Sequence, residues 1–229
     1  MCTIVLLVRP AHAWPVLLAA NRDERLDRAW DGPGRYWPET PDIVAGRDRT
    51  AGGTWMGVNR AGVVAAVLNR QGTLGPAAGK RSRGELPLIA LAQSSADAAL
   101  DAVARLDAGA WRSFNMVIAD RRGAYSVRGL GHGRPDTVRL GDGVHMVTAH
   151  DPDDFTSPRV ARHLPRFRAA AAPTPSAWES WRVILADRDG EPGAQINVVP
   201  RAGFGTSSSS FLALPAAGAP LWLFAPVPA

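Results

Sequence analysis

Lysine and cysteine are almost missing from this chain: Lys80 and Cys2 are the only residues of their kinds among 229, and arginine supplies the rest of the 26 basic side chains. A lone cysteine rules out an internal disulfide and fits a reducing compartment, so a cytoplasmic protein is expected. Long hydrophobic runs are lacking too. The apolar stretch Thr3–Val8 is far too short to cross a bilayer, and it has neither a basic segment ahead of it nor a small-residue cleavage site behind. No membrane-spanning segment and no signal peptide are therefore expected. The five histidines (His12, His132, His145, His150 and His163) show no ligand spacing with cysteine or acids, which argues against a metal site, and no cofactor is called for. The formal charge of +5 is scattered, with only Lys80, Arg81 and Arg83 bunched and no aromatic residues interleaved with them. Nucleic acid is not an expected partner.

What is present is ordinary for a folded chain. With 46% hydrophobic and 21% charged residues, the sequence can bury one sizeable core, and a single domain over residues 1–229 is expected. The apolar runs at 3–8 and 15–20, joined by RPAHAW, predict a hairpin that leads into NRDERLDR. Cys2 and that charged cluster would then sit at ends of adjacent strands. GTWMGVN and GVVAAVLN, turning at Arg60 and Ala61, predict a second hairpin. Ser82-Arg83-Gly84-Glu85 has the spacing of a capping box, with Ser82 as N-cap, so a helix is expected over LPLIALAQ. Ala98, Leu100, Val103 and Leu106 recur at helical spacing and predict a helix over residues 95–106. FNMVIAD with AYSVRG, then TVRL with VHMVTAH, read as paired strands turning at residues 121–123 and 141–143. Helices over residues 158–171 and 176–186, and two strands in FGTSSSSFLALP and LWLF, complete the order. Such an alternation suits an α+β fold of antiparallel sheet layers covered by helices.

Cys2 raises the question of chemistry. It can be read as a small apolar residue opening a buried strand. Alternatively, removal of Met1 would leave one residue carrying both a thiol and a free α-amine. With a thiol pKa near ~8.5 and an α-amine near ~7.7–8, part of the amine is neutral at pH 7 and can take the thiol proton. A neighbouring cation such as Arg22 would favour the thiolate, and Asp23 could hold the amine. Arg22 and Asp23 could equally be a surface ion pair, and Asn59 and Asn69 could be turn residues. Gly52, Gly53 and Gly57 suit a bulge or close packing rather than phosphate binding, since no helix start follows them.

Quoted together, MCT, NRDE at residues 21–24, AGRDRTAGGTWMGVN, LNR, SRGE and FGTSSS resemble the NRDE-domain family, also called the transport and Golgi organisation 2 family, from Cys2 to about Leu214. That family is in turn similar to the N-terminal nucleophile hydrolases of the choloylglycine hydrolase and penicillin V acylase kind. The resemblance implies a four-layer αββα sandwich of antiparallel sheets. It also implies Cys2 as nucleophile, Asp23 in contact with the α-amino group, and Asn69, at the end of GVNRAGVVAAVLN, as an oxyanion donor. The chain departs from those hydrolases at three places: Ala20 and Ser207 stand where they carry arginines, and Thr148-Ala149-His150 stands where a serine-asparagine pair is usual. Arg22 then becomes the candidate cation of the site, and Trp55 and His150 become candidate substrate contacts.

Two functions fit. One is an N-terminal cysteine acyl-transfer enzyme that hydrolyses an amide or thioester of a hydrophobic acyl group after removal of Met1, with a small-molecule acyl substrate as partner. The other is a non-enzymatic carrier of haem or a lipid-like ligand on the same fold, since members of the family have been linked to haem trafficking and lipid homeostasis. The oligomeric state is not readable from the sequence.

Overall fold

Six consecutive aliphatic and hydroxyl residues, all buried, make the first strand, β1 (Thr3–Val8). An unbroken apolar run rather than an alternating one is what a strand covered on both faces requires. In the computed structural model, which describes residues 2–226, β1 belongs to the first of two units, formed by residues 2–27 and 142–226. The second unit is formed by residues 28–141.

In the first unit β1 pairs antiparallel with β2 (Val16–Arg25), Thr3 opposite Asn21 and Val8 opposite Val16. The expected hairpin is present, but β2 does not stop at Ala20; it carries the whole Asn-Arg-Asp-Glu motif within the strand. The other strands are β10 (Gly143–Val147), β11 (Phe204–Leu214) and β12 (Leu221–Ala225), giving the order β10-β1-β2-β11-β12. Two helices, α3 (Pro158–Ala169) and α4 (Glu179–Leu185), supply Leu164, Phe167, Trp181 and Leu185 to a core shared with Val5 and Leu17. Phe167 meets Trp181 edge-on at 5.2 Å, and burying side chains of this size stabilises the fold by roughly 2 kcal/mol each.

Helix α3 begins as its sequence dictates. The Ser157 hydroxyl accepts from Val160 N–H at 3.4 Å, and Pro158 occupies the first turn, where its missing N–H is not needed. Pro165 sits inside the helix but on its exposed side, as does Ala161, so the carbonyl left without a helix partner faces water. The helix α4 is shorter than expected at its N-terminal end, where Thr174 and Ala177 pair in a tight bridge.

The second unit is a seven-stranded antiparallel meander in chain order: β3 (Trp30–Gly34), β4 (Ile43–Asp48), β5 (Met56–Asn59), β6 (Val64–Asn69), β7 (Phe114–Asp120), β8 (Gly123–Gly129) and β9 (Asp136–Leu140). Its helices α1 (Glu85–Leu91) and α2 (Ala96–Ala104) place Leu86, Leu91 and Val103 against Ile43, Ala65 and Met116. Ser95 caps α2, accepting from Ala98 N–H at 3.2 Å. Asn59 is a turn residue with further duties: its amide donates to the Leu91 and Gln93 carbonyls at 2.7 and 2.6 Å and its oxygen accepts from Val63 N–H at 2.9 Å.

Three expectations are corrected. Ser82 does not cap α1; its hydroxyl accepts from Gly84 N–H, and the helix starts at Glu85 without a side-chain cap. The strands over TVRL and VHMVTAH are not partners: β9 pairs with β8, whereas β10 pairs with β1 in the other sheet. The expected strand list also lacked β3 and β4; the Gly-Pro-Gly of β3 carries little strand propensity, and in β4 only Ile43 and Val44 precede Ala-Gly-Arg-Asp.

The glycines of AGGTWMG serve close packing. A Cβ on Gly53 would lie 2.5 Å from the Gly84 backbone, where Thr54 N–H donates to the Gly84 carbonyl at 2.9 Å. Gly53→Ala is expected to destabilise the protein by about 2 kcal/mol, read as a lower urea midpoint, because two backbones cannot separate without breaking that bond. Gly52→Ala meets no neighbour and strains only its positive φ of 76°, so its loss should be smaller.

Candidate functional site

Strand alternation decides what the start of the chain presents. Val5 and Leu7 of β1 pack on the helices α3 and α4, so Thr3 lies on the same face and Cys2, one residue earlier, points to the opposite one. Cys2 is partly buried. Its sulfur lies 3.6 Å from the backbone carbonyl oxygen of Asp23, within hydrogen-bonding reach for a thiol. The structure thus brings Cys2 and Asp23 together across the β1–β2 pair. Burial pushes the Cys2 thiol up from its usual value, and the Asp23 carboxylate adds to that; the Asp23 backbone and the charge of Arg22 act in the other direction.

The Asp23 side chain lies on the helix face and is fully enclosed. One carboxylate oxygen accepts from the Thr206 hydroxyl at 2.6 Å, the other from the Arg159 guanidinium at 3.0 Å. Thr206 itself accepts from Val198 N–H at 2.7 Å, which leaves its proton for Asp23. Arg159, in the first turn of α3 and 6% exposed along its side chain, donates with the same nitrogen to the Thr3 hydroxyl at 2.9 Å. Thr3, Asp23, Thr206 and Arg159 therefore form one buried polar cluster next to Cys2. Thr3, Thr206 and Arg159 were missed in the sequence. The signal for Thr206 was the pairing of a threonine-serine run with a strand carrying Asn21 and Asp23, and for Arg159 there was only an arginine on the apolar side of a helix.

The remaining motif residues divide between structure and site. Asn21 donates to the carbonyls of Leu185 and Ile196, each at 2.9 Å, and accepts from Ser209 at 2.6 Å; it ties the end of α4 to the sheet. Arg22 is not a surface residue. It is 6% exposed, donates to the Ser207 hydroxyl at 3.1 Å and lies 3.6 Å from Glu24. Ser207 in turn donates to the Arg22 carbonyl at 3.1 Å, at the point where β11 bulges against β2. His150 follows β10 in the same unit, half-buried, with its ring 3.7 Å from Asp154. Trp55 and Asn69 belong to the second unit. Trp55 lies edge-on to Trp30 at 5.7 Å and covers Gly46, where a Cβ would meet its ring at 2.3 Å. Asn69, half-buried, ends β6 opposite Phe114. Among the described residues no group of three or more His, Cys, Asp or Glu could hold a metal ion, and no helix is long and apolar enough to cross a membrane.

The fold matches that of the Caenorhabditis elegans N-acylethanolamine-hydrolyzing acid amidase ortholog, with a TM-score of 0.63 at 12% identity over 94% of each chain. It also matches penicillin V acylase from Agrobacterium tumefaciens, with a TM-score of 0.52 at 14% identity over 97% of this chain and 86% of the acylase. The molecule is thus an α+β protein of two antiparallel sheets with the N-terminal nucleophile hydrolase fold. In sequence it is 31% identical over 132 residues to the Bos taurus Transport and Golgi organization protein 2 homolog, a match that covers 52% of this chain and 45% of the bovine protein. Residues 1–185 match the family described as Transport and Golgi organisation 2, and the chain belongs to that family.

Proposed function

We propose that this chain, once Met1 is removed, is an N-terminal cysteine acyl-transfer enzyme that hydrolyses an amide or thioester of a hydrophobic acyl group in the cytoplasm. The observation that carries the reading is the placement of the Cys2 thiol against the backbone carbonyl of Asp23, a residue whose buried carboxylate is fixed by two donors. The fold shared with an acid amidase and an acylase supports it.

The chemistry follows from the parts. In the unprocessed chain burial and Asp23 keep the thiol protonated. Cleavage of Met1 places a neutral amine on Cys2 itself, which takes the thiol proton as the sulfur attacks the acyl carbon. The carbonyl oxygen gains the negative charge, and Asn69 is the proposed donor to it. Collapse of the tetrahedral adduct returns the proton from the ammonium to the leaving amine or thiol and leaves an acyl thioester on Cys2. Water, deprotonated by the same amine, releases the acid and restores the thiol. Asn69→Ala is expected to lower kcat about 100-fold with KM little changed, since an oxyanion donor acts in the transition state. Trp55 and His150 are proposed to contact substrate, and Trp55→Ala should raise KM more than it lowers kcat.

The test compares a chain that starts at Cys2, released from an N-terminal fusion by a protease, with the uncleaved fusion. Both are assayed on acyl amides and acyl thioesters of increasing chain length. Turnover should appear only after cleavage. Absence of turnover in the cleaved chain, together with saturable binding of haem or a fatty acid, would replace the enzyme by a carrier.

A further inference from the structure

The buried cluster beside Cys2 has a charge balance that the reaction needs. A carboxylate close to the α-amine of a processed Cys2 would, alone, favour the ammonium form and so remove the base; it would also oppose formation of the thiolate. In the reading above Asp23 is such a carboxylate, and its effect on the thiol is upward. Arg159 sits 3.0 Å from it, enclosed from solvent, and its hydrogen bond to Thr3 ties the guanidinium to the residue that follows the nucleophile. We propose, resting on the enzyme reading above, that Arg159 is a positioning residue of the reaction: it fixes the Asp23 carboxylate, on the sheet face opposite the Cys2 thiol, and offsets the charge that the thiol feels.

Two cations act here: the charge of Arg22 lowers the thiol directly, and Arg159 bonds the Asp23 carboxylate. From β2 the charged groups are Arg22, Asp23, Glu24 and Arg25; Arg22 is engaged with Glu24 and Ser207, and Arg25 with Asp27. β11 contributes the hydroxyls of Thr206 and Ser207. β10 contributes His145, opposite Leu6 of β1 and paired with Asp153, and the loop after it carries His150, Asp151 and Asp154. The next turn of α3 carries Arg162 and His163; Arg162 lies 3.6 Å from Asp187, and His163 accepts from Arg166 and donates to the Ala194 carbonyl. The geometry also explains a buried arginine on a helix face that further carries Val160, His163, Leu164 and Phe167: an unpaired guanidinium there would be strongly destabilising, and the same is true of Asp23 without it.

The test reads the sulfur directly. In the chain that starts at Cys2, the rate of alkylation by iodoacetamide is followed from pH 5 to pH 10, with folding checked by circular dichroism. Removing the cation in Arg159→Met should move the pH of half-maximal rate upward by roughly one unit, and removing the anion in Asp23→Asn should move it downward by a similar amount. Arg159→Lys, which keeps the charge, should restore the parent profile. If Arg159→Met does not fold, the Asp23→Asn and Arg159→Lys profiles still decide. Unchanged profiles, or shifts of one sign in both halves of the pair, would overturn the proposal. Absence of acyl turnover with the opposed shifts intact would count against the enzyme and not against the role of Arg159.

Discussion

Cys2→Ala should abolish turnover of acyl amides and thioesters, and Cys2→Ser should reduce it by at least about 1000-fold, while both variants keep the parent melting temperature within a few degrees. The graded loss comes from one atom. Serine keeps the α-amine and the shape of the residue, but a hydroxyl is a far weaker nucleophile than a thiol at neutral pH. The small change in stability follows from the surroundings: Cys2 stands outside β1, is only partly buried, and its thiol meets a backbone carbonyl that the serine hydroxyl can also reach. Turnover is measured on chains released at residue 2, so that each variant presents the same free amine. Equal activity in Cys2→Ala would show that whatever hydrolysis occurs belongs to another group.

Acidification from pH 6.5 to pH 4 should cost the fold roughly 3 kcal/mol through one buried histidine. His163 in α3 is inaccessible to solvent, and its pKa is lowered to about 4, mainly by burial, with Arg166 and Arg162 adding to the depression and the bond to the Ala194 carbonyl and the charge of Asp187 opposing it. The sign follows from proton uptake. Below about pH 6.5 the unfolded chain protonates this histidine and the folded chain does not, so the unfolded state gains; the loss is complete once the folded-state value near 4 is passed. The carboxylates with depressed values, Asp27, Asp31, Asp153, Asp187 and the exposed Glu179, lose their contribution only below their unfolded values of 3.8, or 4.5 for Glu179, so they fall outside most of this window. Urea unfolding of the parent and of His163→Gln at pH 7, 5.5 and 4 isolates the term. The parent should lose stability steeply over that range, and the variant should have a much shallower slope; equal slopes would place the titration elsewhere.

Both predictions rest on side chains whose environments were unequally legible in the sequence. The strands over 3–8 and 114–120 were visible because aliphatic and β-branched residues run together there, and the strand over 204–214 because its serine run leads into FLAL. The charged motif was expected past the end of its strand, since a run of Asn, Arg, Asp and Glu does not look buried. It is held inside β2 by partners that lie far along the chain: carbonyls of Leu185 and Ile196 for Asn21, Ser207 for Arg22, and Thr206 with Arg159 for Asp23. No local pattern announces such pairs, because a hydrogen bond between residues 136 positions apart leaves no trace in spacing. The β9–β10 connection failed for a related reason. Two strands flanking Gly141-Asp142-Gly143 look like a hairpin, and only the competition of β1 for β10 and of β8 for β9 sends them to separate sheets. Cys2 and Asp23 were legible as a pair through the order of the motifs. The arginines absent at Ala20 and Ser207 were legible as departures, whereas the arginine that the structure does place on Asp23 comes from a helix no motif marked.

The measurement that bears most directly on the N-terminal cysteine is the mass of the first peptide after a brief reaction with a p-nitrophenyl acyl ester, quenched in acid. The account predicts a peptide that begins at Cys2, without Met1, and carries one acyl group on that residue, formed faster than on a free cysteine in unfolded chain at the same pH. A peptide that retains Met1 in protein capable of turnover, or a Cys2 that stays unmodified while the ester is consumed, would contradict it.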